Sequence, residues 1–198
     1  MEPVRQVRGT AAPLRRSDVD TDQIIPAEWL KRVERVGFAE GLFSAWKQDP
    51  DFVLNRPVFR GATILVAGSN FGTGSSREHA VWALEDAGFR AVISPRFGDI
   101  FRNNCTKVGL VPAQVDIAVV EQLWDEVEAD PELEVVVDVE MRRVYAPAAG
   151  IDAPFPLDDF TQGRLLEGLD DIGLTLRHAA AIDTYESSRP TYLPNLRQ

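Results

Sequence analysis

Along the middle of this chain the apolar positions switch repeatedly between two patterns. ATILVAG (Ala62–Gly68) is a short continuous apolar run, AVISP, ending at Pro95, reads as a second buried strand, and LVPAQV, ending at Val115, as another short strand. Such runs fit strands buried on both faces. Between them the spacing becomes helical. One helix is predicted from about Ser76 to Ala87, stopped by Gly88 as a C-cap. RFGDIFRNNCTKVG predicts a helix and turn, and DIAVVEQLWDEVEAD an amphipathic helix burying Ile117, Val120, Trp124 and Val127. ELEVVVDVEMRRVYA then alternates over two runs, a hairpin with Leu133, Val135, Val137 and Val139 on one face.

The flanks are less regular. Val4–Leu14 mixes β-branched and polar residues and reads as a strand, and SDVDTDQIIPAEWL as a polar turn around Pro26. GFAEGLFSAW (Gly37–Trp46) predicts a short helix with Phe38, Leu42 and Trp46 on one face, followed by the proline-broken extended stretch DPDFVLNRPVFRG. Two or three short helices and a proline-containing tail fill the C-terminal part, from about residue 158. No linker, repeat or low-complexity segment interrupts residues 1–198. The expectation is one α/β domain whose sheet mixes parallel and antiparallel strands, with flanking helices.

Composition narrows the function. At 198 residues, 44% hydrophobic and 26% charged, the chain has the make-up of a globular protein with a sizeable core. Its formal net charge of −10 argues against binding nucleic acid or anionic lipid, both of which select basic faces. Apolar runs are far too short for a membrane span, and MEPVRQVRGTAAPLRR lacks the apolar core of a signal peptide, so the expected location is cytoplasmic. Cys105 is the only cysteine. It has no disulfide partner, and iron–sulfur clusters usually need three or four thiolates. With two histidines, His79 and His178, no metal-ligand spacing arises, so no metal is expected in this chain. From Pro112 to Glu140 there are ten acidic residues and no Lys or Arg, the mark of a solvated face.

The candidate chemistry lies in GSNFGTGSSREHAVWAL, Gly68–Leu84. It is not a P-loop, since no lysine follows the glycines in place. It is not the dinucleotide fingerprint, whose third glycine position is Arg77 here, nor a nucleophile elbow, since Arg77 and Glu78 follow Ser76. Two readings stay open. Ser75-Ser76-Arg77-Glu78 fits a capping box with Ser75 as N-cap, worth about 1 kcal/mol. That leaves the glycines and Arg77 unexplained, for a cation in the first turn opposes the helix dipole. An anion site explains both: backbone N–H groups, hydroxyls and a guanidinium converge on one carboxylate, with glycines allowing close approach. His79, one turn in, is read as structural or as a partner behind the site. Asp18, Asp20 and Asp22 alternate like a calcium loop, but Gln23 and Trp29 replace the glycine and glutamate that such a loop requires.

NFGTGSSREHAVWAL resembles the signature of the aconitase superfamily's swivelling domain, above all the separate small-subunit family of 3-isopropylmalate dehydratase. DVDTDQIIP, GFAEGLF and SPRFGDIFRNNCTKVGLVP extend the resemblance over most of the chain. Thr73 departs from it, standing where many relatives carry cysteine, a small-for-small exchange. The resemblance implies a swivelling β/β/α domain and a hydro-lyase that interconverts 2- and 3-isopropylmalate by dehydration and rehydration in leucine biosynthesis. It implies a large-subunit partner, in a heterodimer or larger assembly, that carries a [4Fe-4S] cluster as Lewis acid. By the same resemblance Ser75 is the base, acting as an alkoxide, and Arg77 clamps a carboxylate of the small dicarboxylate substrate. Ser76, Gly74 and Thr73 complete the anion cradle, and Asp22 sits at the site's edge. EWLKRVERVG is then a mobile specificity loop, with Leu30 and Val33 against the isopropyl group. Lys31, Arg32 and Arg35 would instead suit a third carboxylate, as in the corresponding chain of a homoaconitase or methylmalate-type hydratase. A carboxylate-binding module without catalysis is the alternative from another class.

Overall fold

The computed structural model describes residues 1–31, 37–75 and 77–189. Both strand senses expected from the sequence are present, but they are parted into two four-stranded sheets. Strands β2 (Ala11–Leu14), β3 (Ile64–Ala67), β4 (Ala91–Ser94) and β5 (Val111–Gln114) form a parallel sheet in that order. Strands β1 (Gln6–Gly9), β6 (Val135–Asp138), β7 (Arg143–Ala146) and β8 (Ile151–Pro154) form an antiparallel one. Every residue of β3 and β4 is buried, which is why their sequences are apolar except for Ser94, whose hydroxyl donates to the Gly68 carbonyl at 2.7 Å. Prolines mark the margins of the parallel sheet. Pro13 lies in β2 and Pro112 in β5, the two edge strands, where a missing ladder N–H does least harm.

Val4–Leu14 is therefore not one strand. It divides at Thr10, serving the antiparallel sheet before it and the parallel sheet after it. Helix α2 (Glu78–Asp86) joins β3 to β4 and packs on α3 (Asp99–Val108), which joins β4 to β5. Because the strand order advances steadily in one direction, these right-handed crossovers fall on the same side. Helix α4 (Ile117–Ala129) returns over β2, β3 and β4, and its Trp124 indole N–H donates to the Val66 carbonyl at 2.9 Å. It buries Val120, Leu123, Trp124 and Val127; Ile117, expected inside, is 42% exposed in the first turn.

Two further expectations change. Gly37–Trp46 is not one helix. Short 3-10 turns at Phe38–Glu40 and Trp46–Gln48 are separated at Phe43, whose φ of +49° ends helical geometry. That break lets Phe38, Leu42 and Phe43 all enter the core. The supposed polar turn contains a one-turn helix, α1 (Thr21–Ile24), closed by an Asp20–Gln23 capping box, with Ile24 and Ile25 fully buried. Toward the C-terminus, β8 precedes α5 (Asp159–Glu167), α6 (Asp171–Leu176) and α7 (Ala179–Ser187). Among the described residues no helix is long and apolar enough to cross a membrane.

The acidic stretch is partly matched from within. Arg15 holds Asp125 and Glu128, Arg8 holds Glu134, and Arg5 reaches Glu140, all from the N-terminal segment. These pairs are exposed and contribute little stability each, at most about 1 kcal/mol. They do reduce the field of what the sequence presents as an unrelieved acidic face.

Candidate active site

Strands β2 and β3 are parallel neighbours with Leu14 opposite Ala67, so both chain segments leave the sheet at the same edge. Residues 16–22 and 68–77, far apart in sequence, therefore emerge side by side at the carboxyl ends of their strands. Open α/β sheets commonly bind ligands at such an edge.

The two segments stay zipped beyond the sheet. Gly68 N–H donates to the Arg16 carbonyl at 2.9 Å, Asp18 N–H to Ser69 at 2.8 Å and Gly72 N–H to Val19 at 2.8 Å. Asn70 Nδ2 donates to Asp18 at 2.6 Å. Helix α1 then touches three alternate positions of the glycine loop. Thr21 N–H donates to the Thr73 carbonyl at 2.9 Å, and Thr21 Oγ1 donates to the Ser75 carbonyl at 3.0 Å. The Asp22 carboxylate pairs with the Arg77 guanidinium.

The glycines have distinct jobs. At Gly72 φ is +73°, and an added Cβ would stand 2.6 Å from Phe101 Cδ1 and 2.7 Å from its Cβ. That position needs both the left-handed conformation and the absence of a side chain. At Gly74 φ is +93°, but an added Cβ would have ordinary contacts, the nearest being Asp20 Cβ at 3.5 Å. Conformation alone selects glycine there.

The capping box expected from Ser75 and Glu78 does not form. Helix α2 begins at Glu78, and its N-cap is Arg77, with no side-chain cap. Ser75 is exposed, and its hydroxyl lies 3.5 Å from Thr21 Oγ1. The anion that the sequence demanded beside Arg77 is here the chain's own Asp22. Arg77 is largely buried, with 17% of its side chain exposed, whereas Asp22 is 56% exposed.

Of the residues singled out in the sequence, Asp22, Thr73, Gly74, Ser75 and Arg77 come together. Ser76 and Val33 lie outside the described residues. Leu30 is half-buried in the 3-10 helix Ala27–Lys31, beyond α1 and outside this hydrogen-bonded cluster. Sequence reasoning passed over Thr21, which is 2% exposed and makes two of the three contacts. The readable signal was the Asp20-x-x-Gln23 cap pattern, which places Thr21 at the first helical position.

His79 turns away from proton chemistry. Its ring sits 4.7 Å from Trp82 and edge-on to Phe38 at 5.3 Å. Burial pushes its pKa down; Glu78 opposes this and Arg77 adds to it. Cys105 is fully buried, and desolvation holds its thiol well above the usual cysteine range. Among the described residues no group of three or more His, Cys, Asp or Glu side chains is arranged to hold a metal ion. A cavity of about 620 Å³ lies by Thr63 at the opposite end of β3, lined by Val4, Glu85 and Phe89 among others, away from this cluster.

Known proteins match the chain over its full length. The family model for the aconitase C-terminal domain matches residues 1–117, and that for the C-terminal domain of the 3-isopropylmalate dehydratase small subunit matches residues 171–196. The chain is 64% identical over 197 residues to a 3-isopropylmalate dehydratase small subunit of Acidothermus cellulolyticus, covering 100% of this chain and 99% of that one. It is 56% identical to one of Rubrobacter xylanophilus, covering 99% and 100%. The crystal structure of a 3-isopropylmalate dehydratase from Methanocaldococcus jannaschii superposes with a TM-score of 0.66 at 25% identity, covering 90% of this chain and 98% of that one.

Proposed function

Because the chain belongs to the small-subunit family of 3-isopropylmalate dehydratase, a hydro-lyase of leucine biosynthesis, we propose that Ser75 and Arg77 are the groups it brings to the dehydration and rehydration of isopropylmalate. One observation carries this reading. The Ser75 hydroxyl is exposed and not spent on a helix cap, in a loop that also presents a guanidinium.

Dehydration removes a proton from the carbon beside a carboxylate and hydroxide from its neighbour; rehydration returns water with the positions exchanged. Ser75, as the alkoxide, takes that carbon-bound proton and becomes a hydroxyl. It gives the proton back in the reverse half. Two features lower the pKa of so weak an acid: the partial positive charge at the start of α2 and the Arg77 guanidinium. Arg77 also fixes a substrate carboxylate through its planar fork. Asp22 then acts as a placeholder, occupying the guanidinium until the substrate carboxylate displaces or shares it. Its exposure lets the carboxylate move out into water, and the substrate carboxylate then supplies the negative charge that the largely buried Arg77 requires. Gly74 lends backbone to the anion cradle and Ser76 a further hydroxyl, while Thr73 anchors the loop, its N–H on the Val19 carbonyl and its carbonyl accepting from Thr21.

This chain's residues do not fit an iron–sulfur cluster, because its only cysteine is buried and carries no thiolate character. We assign the [4Fe-4S] cluster and the activation of the leaving hydroxyl to the large subunit that the family's name implies. The open edge on which Ser75 lies is then the face over which the large subunit docks. Leu30 and Val33 remain our candidates for contact with the isopropyl group.

Ser75→Ala tests the assignment. No cap is lost, so folding stability changes by less than about 0.5 kcal/mol. Loss of the base lowers turnover of the complex reconstituted with the large subunit by about 100-fold or more. Wild-type turnover by the folded variant removes Ser75 from catalysis.

A further inference from the structure

The bonds that α1 makes to the glycine loop single out one side chain. Thr21 is buried, and its hydroxyl stands between the carbonyl of Ser75 at 3.0 Å and the Ser75 hydroxyl at 3.5 Å. Its own N–H is committed to Thr73, which fixes where the hydroxyl originates. Gly74, between these two anchor points, has no side chain and a φ of +93°, so it does little by itself to fix the orientation of the Ser75 peptide. The next anchor along the loop is the Asp22–Arg77 pair, which is more than half exposed on its acidic side. Thr21 is the buried one.

We infer that Thr21 is a positioning residue for Ser75, holding the Ser75 peptide through its hydroxyl so that the Ser75 oxygen faces the substrate. The one proton of this hydroxyl goes to the Ser75 carbonyl at 3.0 Å, whereas the Ser75 oxygen, at 3.5 Å, lies beyond ordinary O–H···O range and is left to face the substrate. This inference rests on the reading of Ser75 as the base.

Thr21→Ala and Thr21→Ser, each in the complex with the large subunit, differ by the hydroxyl alone and share the loss of the methyl group. Thr21→Ala is expected to lower kcat and kcat/KM together by about 10- to 100-fold, the scale of a misplaced reacting group. KM for either isopropylmalate should stay within about threefold, since the carboxylate clamp is untouched. Thr21→Ser should recover most of the lost turnover. In a Ser75→Ala background, Thr21→Ala should cost nothing further, because it acts through Ser75. Equal activity of the Ala and Ser variants overturns the inference, as does a rise in KM alone. If Ser75→Ala is fully active, the reading of Ser75 fails and the role of Thr21 falls with it. If Ser75→Ala is inactive while Thr21→Ala turns over normally, only the role of Thr21 is refuted. Should Thr21→Ala fail to fold, Thr21→Val keeps the volume and decides the same comparison against Thr21→Ser.

Discussion

Replacing Gly72 with alanine tests the packing that holds the loop in place. Two costs arise there. A non-glycine residue at φ +73° loses about 1–2 kcal/mol to left-handed strain. The new methyl also meets the ring of Phe101, which is itself buried and edge-on to Phe71 at 5.3 Å, so it has nowhere to go. Overpacking of this kind costs a further 1–3 kcal/mol or so. The expected total is about 2–5 kcal/mol, or a fall in Tm of roughly 4–20 °C for a chain of this size. Gly61→Ala is the internal control, because φ there is +83° and an added Cβ meets no atom within 4 Å. It bears the strain without the clash, and the reduced entropy of the unfolded chain is common to both variants. Denaturant unfolding of the two variants beside wild type isolates the Phe101 contribution as their difference, about 1–3 kcal/mol. Phe101→Leu in the Gly72→Ala background should narrow that difference. Equal destabilisation at the two sites would refute the argument, since the ring contact is what buried Gly72 has and exposed Gly61 lacks.

Arg77→Lys keeps the charge but loses the fork, so kcat and kcat/KM of the reconstituted enzyme should fall together; wild-type kinetics with both isopropylmalates would take Arg77 out of the site. Cys105, fully buried with its pKa raised, should resist a thiol reagent in the native chain at pH 8 and react promptly once unfolded in guanidinium. Rapid native labelling would contradict its burial. His79 has a folded pKa below its ordinary value of 6.5, so the unfolded chain binds the extra proton first. Its contribution is therefore present above pH 6.5 and is lost as pH falls from there through the lower folded pKa. Comparing stability across that window in wild type and His79→Gln should show a shallower acid-side loss in the variant, and identical slopes would refute it.

What the chain determined locally was legible in its pattern. β3, β4 and most of β5 were readable because strands buried on both faces are largely apolar, and α4 because its period is written in Val120, Trp124 and Val127. The glycine loop was readable because its chemistry is contiguous, and the family resemblance starts from that same stretch. Everything that depended on which distant segment lies alongside was not. Residues 4–14 look like one strand, yet the pairing of β1 with β6 and of β2 with β3 divides them between two sheets. β8, four residues bounded by Gly150 and Pro154, is too short to announce itself without β7 to pair with. Ser75 and Glu78 carry a capping pattern, but α1 draws Ser75 toward Thr21, and the helix begins beyond it at Glu78. The anion beside Arg77 was expected to be a ligand; the parallel register of β2 and β3 brings Asp22 there first. Periodicity is a property of a few consecutive residues and survives in any context. Neighbourhood is fixed only when the hydrophobic core and the strand ladders close together, and that closure brings Thr21, Asp22, Ser75 and Arg77 side by side.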